Sequence, residues 1–569
     1  MYLRTTPRKN KDGSVVRYLQ LAHNVWDPVA KRSKVTVIHN FGREDDANRE
    51  ALRRLIGSVS RFLDPDAALT AAAPEGLSYL ESRPSGGVWV LQGVWHRLGI
   101  DSVMRRLLAG RRLDVSAERV LFALVANRAL APSSKLAASH WVCEDVAIEG
   151  MPSTTDDACY RAMDWLLQIA PELEREVFHQ VANLLDLEVD LLFFDTTSTY
   201  FQVDEADEPV ARDELGRVLQ DADAADAAST VGFRTHGKSK DHRGDLPQVV
   251  IGMAVTREGI PVRTWCWPGN TSDSALIRQA KDDLRDWTLS RIVWVADRGF
   301  SSAQNRRFLR RGDHHYIIGE KLRSGSAEAT AALSRAGRYR TVAENLRVKE
   351  VRISEHERFI ICHNPEGAVR DAAVRASLVA SLQDTIAGTD RLTATKRAEL
   401  RGVISTKPGL NRFLRVTPSG LLRVNAAAVE TESKLDGKYL LRCSDPTLSA
   451  EDIALGYKQL LEVERGWRDM KQIIDLRPVY HRKEERIRAH VLLCWLALLM
   501  VRVVETTCGG HWPDIRHELQ RMRIGTFRGP AGTFSQRTEI TAPQRAILAK
   551  LALPEPPRIH ELTPAPASS

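Results

Sequence analysis

The chain has 569 residues, 43% of them hydrophobic and 27% charged, with a net charge of +8. That length exceeds one hydrophobic core and predicts roughly three or four domains of ordinary globular make-up. Seven scattered cysteines without a CxxC pair argue against a disulfide frame and a structural zinc finger, and the positive balance suits a polyanionic partner without requiring one.

The opening stretch, MYLRTTPRKNKDG, is polar and basic and lacks the apolar core of a signal peptide. Residues 1–45 alternate in VVRYLQLAHNVW and SKVTVIHNFG and predict a small β unit. Residues 46–188 predict a mainly helical region, opened by REALRRLIGSVSRFL and broken at APSSK. Arg105, Arg106, Arg111 and Arg112 are candidates to line a phosphate backbone, or equally a solvated helix face.

The pattern then changes. DLLFFDTTSTYF is an apolar strand that runs into Asp195 and a set of hydroxyl residues. PQVVIGMAVTREGIPVRTWCWPGN reads as two strands around Glu258–Gly259, RIVWVADRGFSS as a strand ending on Asp297, and HYIIGEKL as a fourth strand. With a helix over Ser274–Trp287, residues 189–321 are α/β in class. Residues 322–445 read as a mixed insertion with one helix over Ala368–Leu400, and residues 446–505 as helices. Their most apolar run, VLLCWLALLM, reads as a buried helix too short to span a bilayer. Residues 506–569 are a basic C-terminal region whose Pro-rich tail, PEPPRIHELTPAPASS, is expected to be disordered.

An acid at a strand end often only starts a turn. Here two apolar strands each deliver one, Asp195 and Asp297, and ligand sites in α/β sheets favour that edge. Two close carboxylates repel, which raises one pKa unless a cation lies between them; Mg²⁺ or Mn²⁺ is the natural ion for oxygen ligands. In GYKQLLEVERGWRDMK, Tyr457, Glu464 and Lys471 recur every seven residues and fall on one helical stripe. Arg468, one turn after Glu464, offers the alternative of an ordinary i,i+4 salt bridge.

LLFFDTTSTYF, WVADRGF and YKQLLEVERGWRDMK resemble the three catalytic segments of DDE transposases of the IS4 group, most closely its IS1634-like branch. The segment HGKSKDHRGDLPQVVIGMAVTREGIPV…PGNTSD, His236–Asp273, is similar to the family's stretch between the first two acids. NRALAPSSK matches more loosely. The resemblance implies an RNase H-like catalytic core interrupted by a β-rich insertion. It implies Asp195, Asp297 and Glu464 as catalytic residues and metal ligands, with two Mg²⁺ (or Mn²⁺) ions per site. Tyr457, Lys471, Arg468, Arg298 and Lys238 are the expected DNA contacts; His236 and Lys240 lie in the same loop. The family's arginine between the tyrosine and the glutamate is Leu460 here, a departure for which Arg468 stands in.

The activity so implied is insertion-sequence transposition: metal-dependent cleavage at inverted-repeat ends of double-stranded DNA, then 3′-hydroxyl strand transfer into target DNA by a homodimer on paired ends. End recognition is expected around residues 46–140. The alternatives are a catalytically silent DNA-binding descendant and a nuclease that cuts without joining. The expected location is the cytoplasm, on the nucleoid when bound to DNA, with no membrane partner.

Overall fold

A computed structural model describes the chain apart from residues 45, 64–76, 110–115, 188–189, 214–215, 220–226, 288, 290, 324–325, 355–356, 530–531 and 565–569. Arg111 and Arg112 lie outside the described residues. Strands β1 (Tyr2–Lys9), β2 (Val15–Asp27) and β3 (Arg32–Arg43) form an antiparallel sheet in that order, followed by helix α1 (Asp46–Leu63) and β4 (Ser78–Pro84). They belong to a smaller compact unit, Met1–Ser82 with Gly525–Arg537 and Arg558–Ser569. The expected small β unit is present.

The larger unit, Arg83–Ile524 with Thr538–Pro557, opens with helices α2 (Gly86–Arg97), α3 (Ile100–Leu108), α4 (Ala117–Leu130), α5 (Lys135–His140) and α6 (Asp156–Leu185). The break at APSSK has a chemical cause. Pro132 ends the preceding helix, and Ser134 accepts a hydrogen bond from the Ala137 N–H at 3.1 Å to start the next. Then come β5 (Leu191–Tyr200), β6 (Val210–Arg212), β7 (Ser229–Val231), β8 (Gln248–Val255), β9 (Pro261–Pro268), α7 (Asp273–Asp283), β10 (Val293–Ala296), α8 (Ala303–Leu309) and β11 (His315–Glu320). The core order is β9-β8-β5-β10-β11: β5, β10 and β11 run parallel, and β8 and β9 are antiparallel neighbours.

Alternation along β5 divides its side chains between two cores. Leu191 and Phe193 pack on one face with α4 and α6; Leu192 and Phe194 pack on the other with Leu276, Ile277 and Leu309 of α7 and α8. Both faces are covered, which is why the strand reads as an unbroken apolar run.

The insertion comprises α9 (Ala327–Ser334), β12 (Arg340–Ala343), β13 (Leu346–Ser354), β14 (Glu357–His363), α10 (Pro365–Ile386), α11 (Ala394–Ser405), α12 (Pro408–Asn411), β15 (Leu414–Val416), β16 (Leu422–Val424), α13 (Ala426–Ser433) and β17 (Lys438–Cys443). It is mixed rather than β-rich. Four of its strands extend the central sheet beyond β11 in the order β17, β14, β13, β12. Its helices build a small core of their own from Leu382, Ile404, Leu410 and Phe413. The single helix expected over Ala368–Leu400 is two, because Gly388 takes a left-handed φ of +73° and turns the chain.

Three helices come next: α14 (Ala450–Lys458), α15 (Leu461–Gln472) and α16 (Glu484–Cys508). The run VLLCWLALLM sits inside a helix of 25 residues, long and apolar enough by composition to cross a membrane, not too short as its ten residues suggest. Its apolar window is 94% buried, so it is the central core helix of this unit. Each large aliphatic side chain buried there contributes about 1.5–3 kcal/mol. Arg502, buried on this helix, pairs with Asp469 of α15 and with Glu505, each at 2.6 Å, and so fixes α15 to the core.

The chain ends with α17 (Trp512–Gln520), β18 (Arg523–Gly529), β19 (Gly532–Arg537), α18 (Ala542–Lys550) and β20 (Ile559–Pro564). The tail expected to be disordered therefore contains a strand. β20 pairs antiparallel with β19 at the edge of a four-stranded sheet, β20-β19-β18-β4. Its prolines do not interfere, because they precede the strand or close it, and an edge strand tolerates both.

Candidate active site

Asp195 does not end its strand. β10 pairs with β5 only through Phe194↔Ala296, but β8 pairs with β5 from Phe193 to Tyr200 and carries the strand onward. On the β10 side the ladder stops just before the two aspartates. Asp195 and Asp297 are thus the first residues past the last parallel pair, neighbours in register. Parity places them with Leu191, Phe193, Val293 and Val295, all of which face the larger core together with Val463, Trp467 and Met470 of α15. The face that holds both acids is the face on which the Glu464 helix packs.

The electrostatics agree with close carboxylates. Burial pushes the Asp195 carboxyl up to about 6; the Lys240 ammonium pulls it down, and Asp297 and Asp273 push it further up. Asp297 accepts a hydrogen bond from the Gly299 N–H at 2.7 Å, which starts the short turn Arg298–Phe300. Lys240 is the cation nearest the pair. Its Nζ lies 3.9 Å from Asp195 Oδ1 and 3.3 Å from Asp273 Oδ2, and it donates to the Thr196 hydroxyl at 2.6 Å and to the Thr196 carbonyl. The backbone N–H of Lys240 donates to Ser198 Oγ at 2.9 Å. Two of the hydroxyl residues after Asp195 thus hold this lysine.

Glycines bring the lysine loop onto the sheet. A Cβ on Gly237 would collide with the Gly269 carbonyl, and one on Gly269 with the carbonyls of Gln248 and Thr235. Gly269→Ala is expected to cost about 1–3 kcal/mol because backbone must move. Thermal unfolding checks this, and a midpoint within about 1 °C of wild type contradicts it.

The stripe Tyr457–Glu464–Lys471 is interrupted. Helix α14 ends at Lys458, and α15 starts at Leu461 with Leu460 as its N-cap, so the three residues do not share one helix. The tight turn re-aims the chain so that α14 packs against β10 and β11, and α15 against β5 and β8. Tyr457 still reaches the acids: burial, then Asp297, push its phenol up to about 12, with a smaller push from Glu464. Its hydroxyl lies 2.5 Å from where a Gly319 Cβ would stand, so this glycine makes room for it.

Glu464 and Arg468 are exposed and do not pair with each other, which removes the i,i+4 salt bridge. Lys471 is engaged: it bonds Asp241 at 3.0 Å, which Arg477 also bonds at 3.1 Å. Arg298 and Lys238 are exposed. Arg105 pairs with Asp101 and Arg106 with Glu176, so neither stands free for a phosphate. Asp273 and Asp241 were not singled out by sequence reasoning, yet both lie in the His236–Asp273 segment whose likeness to the family was visible.

Among the described residues no three Asp, Glu, His or Cys side chains gather into a ready metal cage. The two aspartates do fit a divalent ion. They are adjacent hard-oxygen donors, one destabilised in its charged form, with a lysine already serving as counter-cation. Glu464, unpaired on the adjoining helix, is the remaining donor.

Comparison with known proteins gives two family matches: the transposase DDE domain over residues 220–500, and the N-terminal domain of IS1634 family transposases over residues 3–70. The first match includes Asp297 and Glu464 and begins after Asp195. No curated protein matches. A cryo-EM structure of a piggyBac transposase synaptic complex with hairpin DNA aligns with 77% of this chain and 78% of that one, at 11% identity and a TM-score of 0.34.

Proposed function

We propose, for a chain that belongs to the DDE transposases of the IS1634 family, that it cleaves DNA at the inverted-repeat ends of its element and joins the freed 3′-hydroxyl to target DNA. The observation that carries this reading is the register of β5 and β10, with Asp195 and Asp297 as adjacent residues on the face toward the Glu464 helix. The strand order β9-β8-β5-β10-β11, with three parallel strands and an antiparallel pair, supports an RNase H-like core.

Asp195, Asp297 and Glu464 are the residues that would hold Mg²⁺ or Mn²⁺, two ions being the expected number. The bound ion supplies activation of the attacking oxygen and charge neutralisation at the scissile phosphate. The Tyr457 phenol, protonated because burial and Asp297 raise its pKa, donates a hydrogen bond to a phosphate oxygen. Arg298 and Arg468, exposed beside the site, contact the DNA backbone as Lys238 does. Lys471 acts differently from the expectation of a free phosphate contact: through Asp241 it holds the loop that carries Lys240. Two protomers on paired ends complete the active form.

The test is labelled duplex DNA bearing the inverted repeats that flank the gene, in Mg²⁺ and in EDTA, with wild type and Asp195→Ala, Asp297→Ala and Glu464→Ala. Expected are metal-dependent cuts at the repeat end and strand-transfer products, lost in all three variants while DNA binding persists. One observation favours a silent DNA-binding descendant: Glu464 is not gathered with the aspartates. Binding without cleavage by wild type in Mg²⁺ and Mn²⁺ selects that reading, and cuts without joined products select a nuclease.

A further inference from the structure

Residues 1–44 hold nine Lys and Arg against three acids, Asp12, Asp27 and Glu44, which makes six of the chain's net charge of +8. Nearly all of this charge rides on the β1–β2–β3 sheet and its turns, where Leu19 and Ala22 are the only buried hydrophobic residues among those described. The pairing sorts the side chains. Tyr2↔Ala22, Arg4↔Gln20, Thr6↔Tyr18 and Arg8↔Val16 share one face, and Gln20↔Asn40 continues it onto β3. Arg4, Gln20 and Asn40 therefore form one row across all three strands, flanked by Thr6 and Tyr18 in the next.

No acid lies on this face. Asp27 has the opposite parity, Asp12 is in the β1–β2 turn, and Glu44 comes after β3. Two hydrogen bonds order the surface: Thr6 Oγ1 to Gln20 Oε1 at 3.2 Å, and Tyr2 hydroxyl to Asn24 Oδ1 at 3.1 Å. The arginines of helix α1 are different. Arg49 pairs with Glu44 at 3.0 Å, and Arg53 and Arg54 pair with Glu50 at 3.4 and 3.9 Å. Among the described residues Arg4 and Arg8 have no such partner.

We infer that this sheet face, rather than the helices after it, is the surface that docks on duplex DNA, with the Arg4–Gln20–Asn40 row toward the base edges. Arg, Gln and Asn are the side chains that pair bidentately with guanine and adenine in the major groove. Three strands spaced about 4.8 Å apart are roughly 10 Å wide, close to the groove's width of about 12 Å. Arg8 and the lysines of the two turns neutralise the flanking phosphates. The inference rests on the reading that the chain acts on DNA ends.

The experiment uses the full chain and fluorescence anisotropy with two duplexes, one carrying the inverted-repeat end and one scrambled, over a salt series. Arg4→Ala/Arg8→Ala is expected to weaken both at least about tenfold and to flatten the salt slope by about two, near 0.9 per lost phosphate contact. Arg4→Lys/Arg8→Lys restores binding to the scrambled duplex, which a merely unfolded sheet would not allow. Gln20→Ala/Asn40→Ala keeps scrambled binding and loses about tenfold in preference for the end. Arg53→Ala/Arg54→Ala stays within about twofold on both duplexes, because those charges are already paired.

Unchanged affinity and slope in Arg4→Ala/Arg8→Ala would overturn the inference alone. Loss of binding in the α1 variant instead would move the surface to that helix and overturn it equally. A wild type that binds neither duplex would sink the functional reading along with it.

Discussion

Asp195→Asn is expected to abolish metal-dependent DNA cleavage, by at least about a thousandfold, and at the same time to stabilise the fold. Loss of a ligand removes the Lewis-acid contribution to the transition state, which is several kcal/mol. The gain in stability has its own cause. Burial holds the Asp195 pKa near 6 against an unfolded value of 3.8. Between those values the folded chain binds more protons than the unfolded one, so stability falls as pH rises from about 4 to 6 and stays lower above that. The deficit at pH 8 is about 3 kcal/mol. Asparagine keeps the shape and lacks the titration. Its melting temperature should exceed that of wild type at pH 8, and the two should converge near pH 4. Added Mg²⁺ should raise the wild-type value and leave the variant unmoved. A variant that melts at or below wild type at pH 8 contradicts the account of a destabilised carboxylate.

Lys240→Met is expected to tighten Mn²⁺ binding by about thirtyfold and to lower stability in the absence of metal. The ammonium lies 3.9 Å from Asp195, where unit charges interact by about 4 kcal/mol at an effective dielectric of 20. The lysine side chain is 36% exposed, so about half of that survives screening, or ~2 kcal/mol. A divalent ion must overcome this resident charge, and Asp273, 3.3 Å from the same Nζ, offers the lysine somewhere to remain. Titration followed by the Mn²⁺ EPR signal gives the affinity directly. Equal affinities in the two proteins would mean that the lysine does not compete.

The central sheet was legible in the sequence because buried strands announce themselves: DLLFF and IVWVA are continuous apolar runs, and both faces of the sheet are covered. Their acids were legible for the same reason. The continuation of β5 from Asp195 to Tyr200 was not, since it depends on β8, which comes some fifty residues later. The break between Tyr457 and Glu464 carries no Gly or Pro; Gln459 and Leu460 are good helix formers, and the turn is imposed by two helices packing along a twisted sheet. Lys240 stood in the His236–Asp273 segment, but its approach to Asp195 depends on Gly237 meeting Gly269, a contact between distant loops. The strand at Ile559 was hidden by the composition of its neighbours, because a proline count ignores where the prolines fall.

The insertion has a history written in its seams. His363 and Lys438 face each other as paired residues on β14 and β17, and the Asn364 N–H bonds the Gly437 carbonyl at 2.8 Å. Everything between, residues 365–436, leaves the sheet and returns to it at one point. Removing that stretch would leave His363–Asn364–Gly437–Lys438, and Asn-Gly is the dipeptide that two-residue hairpin turns prefer. The scaffold thus carries the scar of a plain hairpin, opened to accept a foreign lobe with a core of its own. Such a lobe can be exchanged, lengthened or lost between descendants without disturbing the strands that hold the acids.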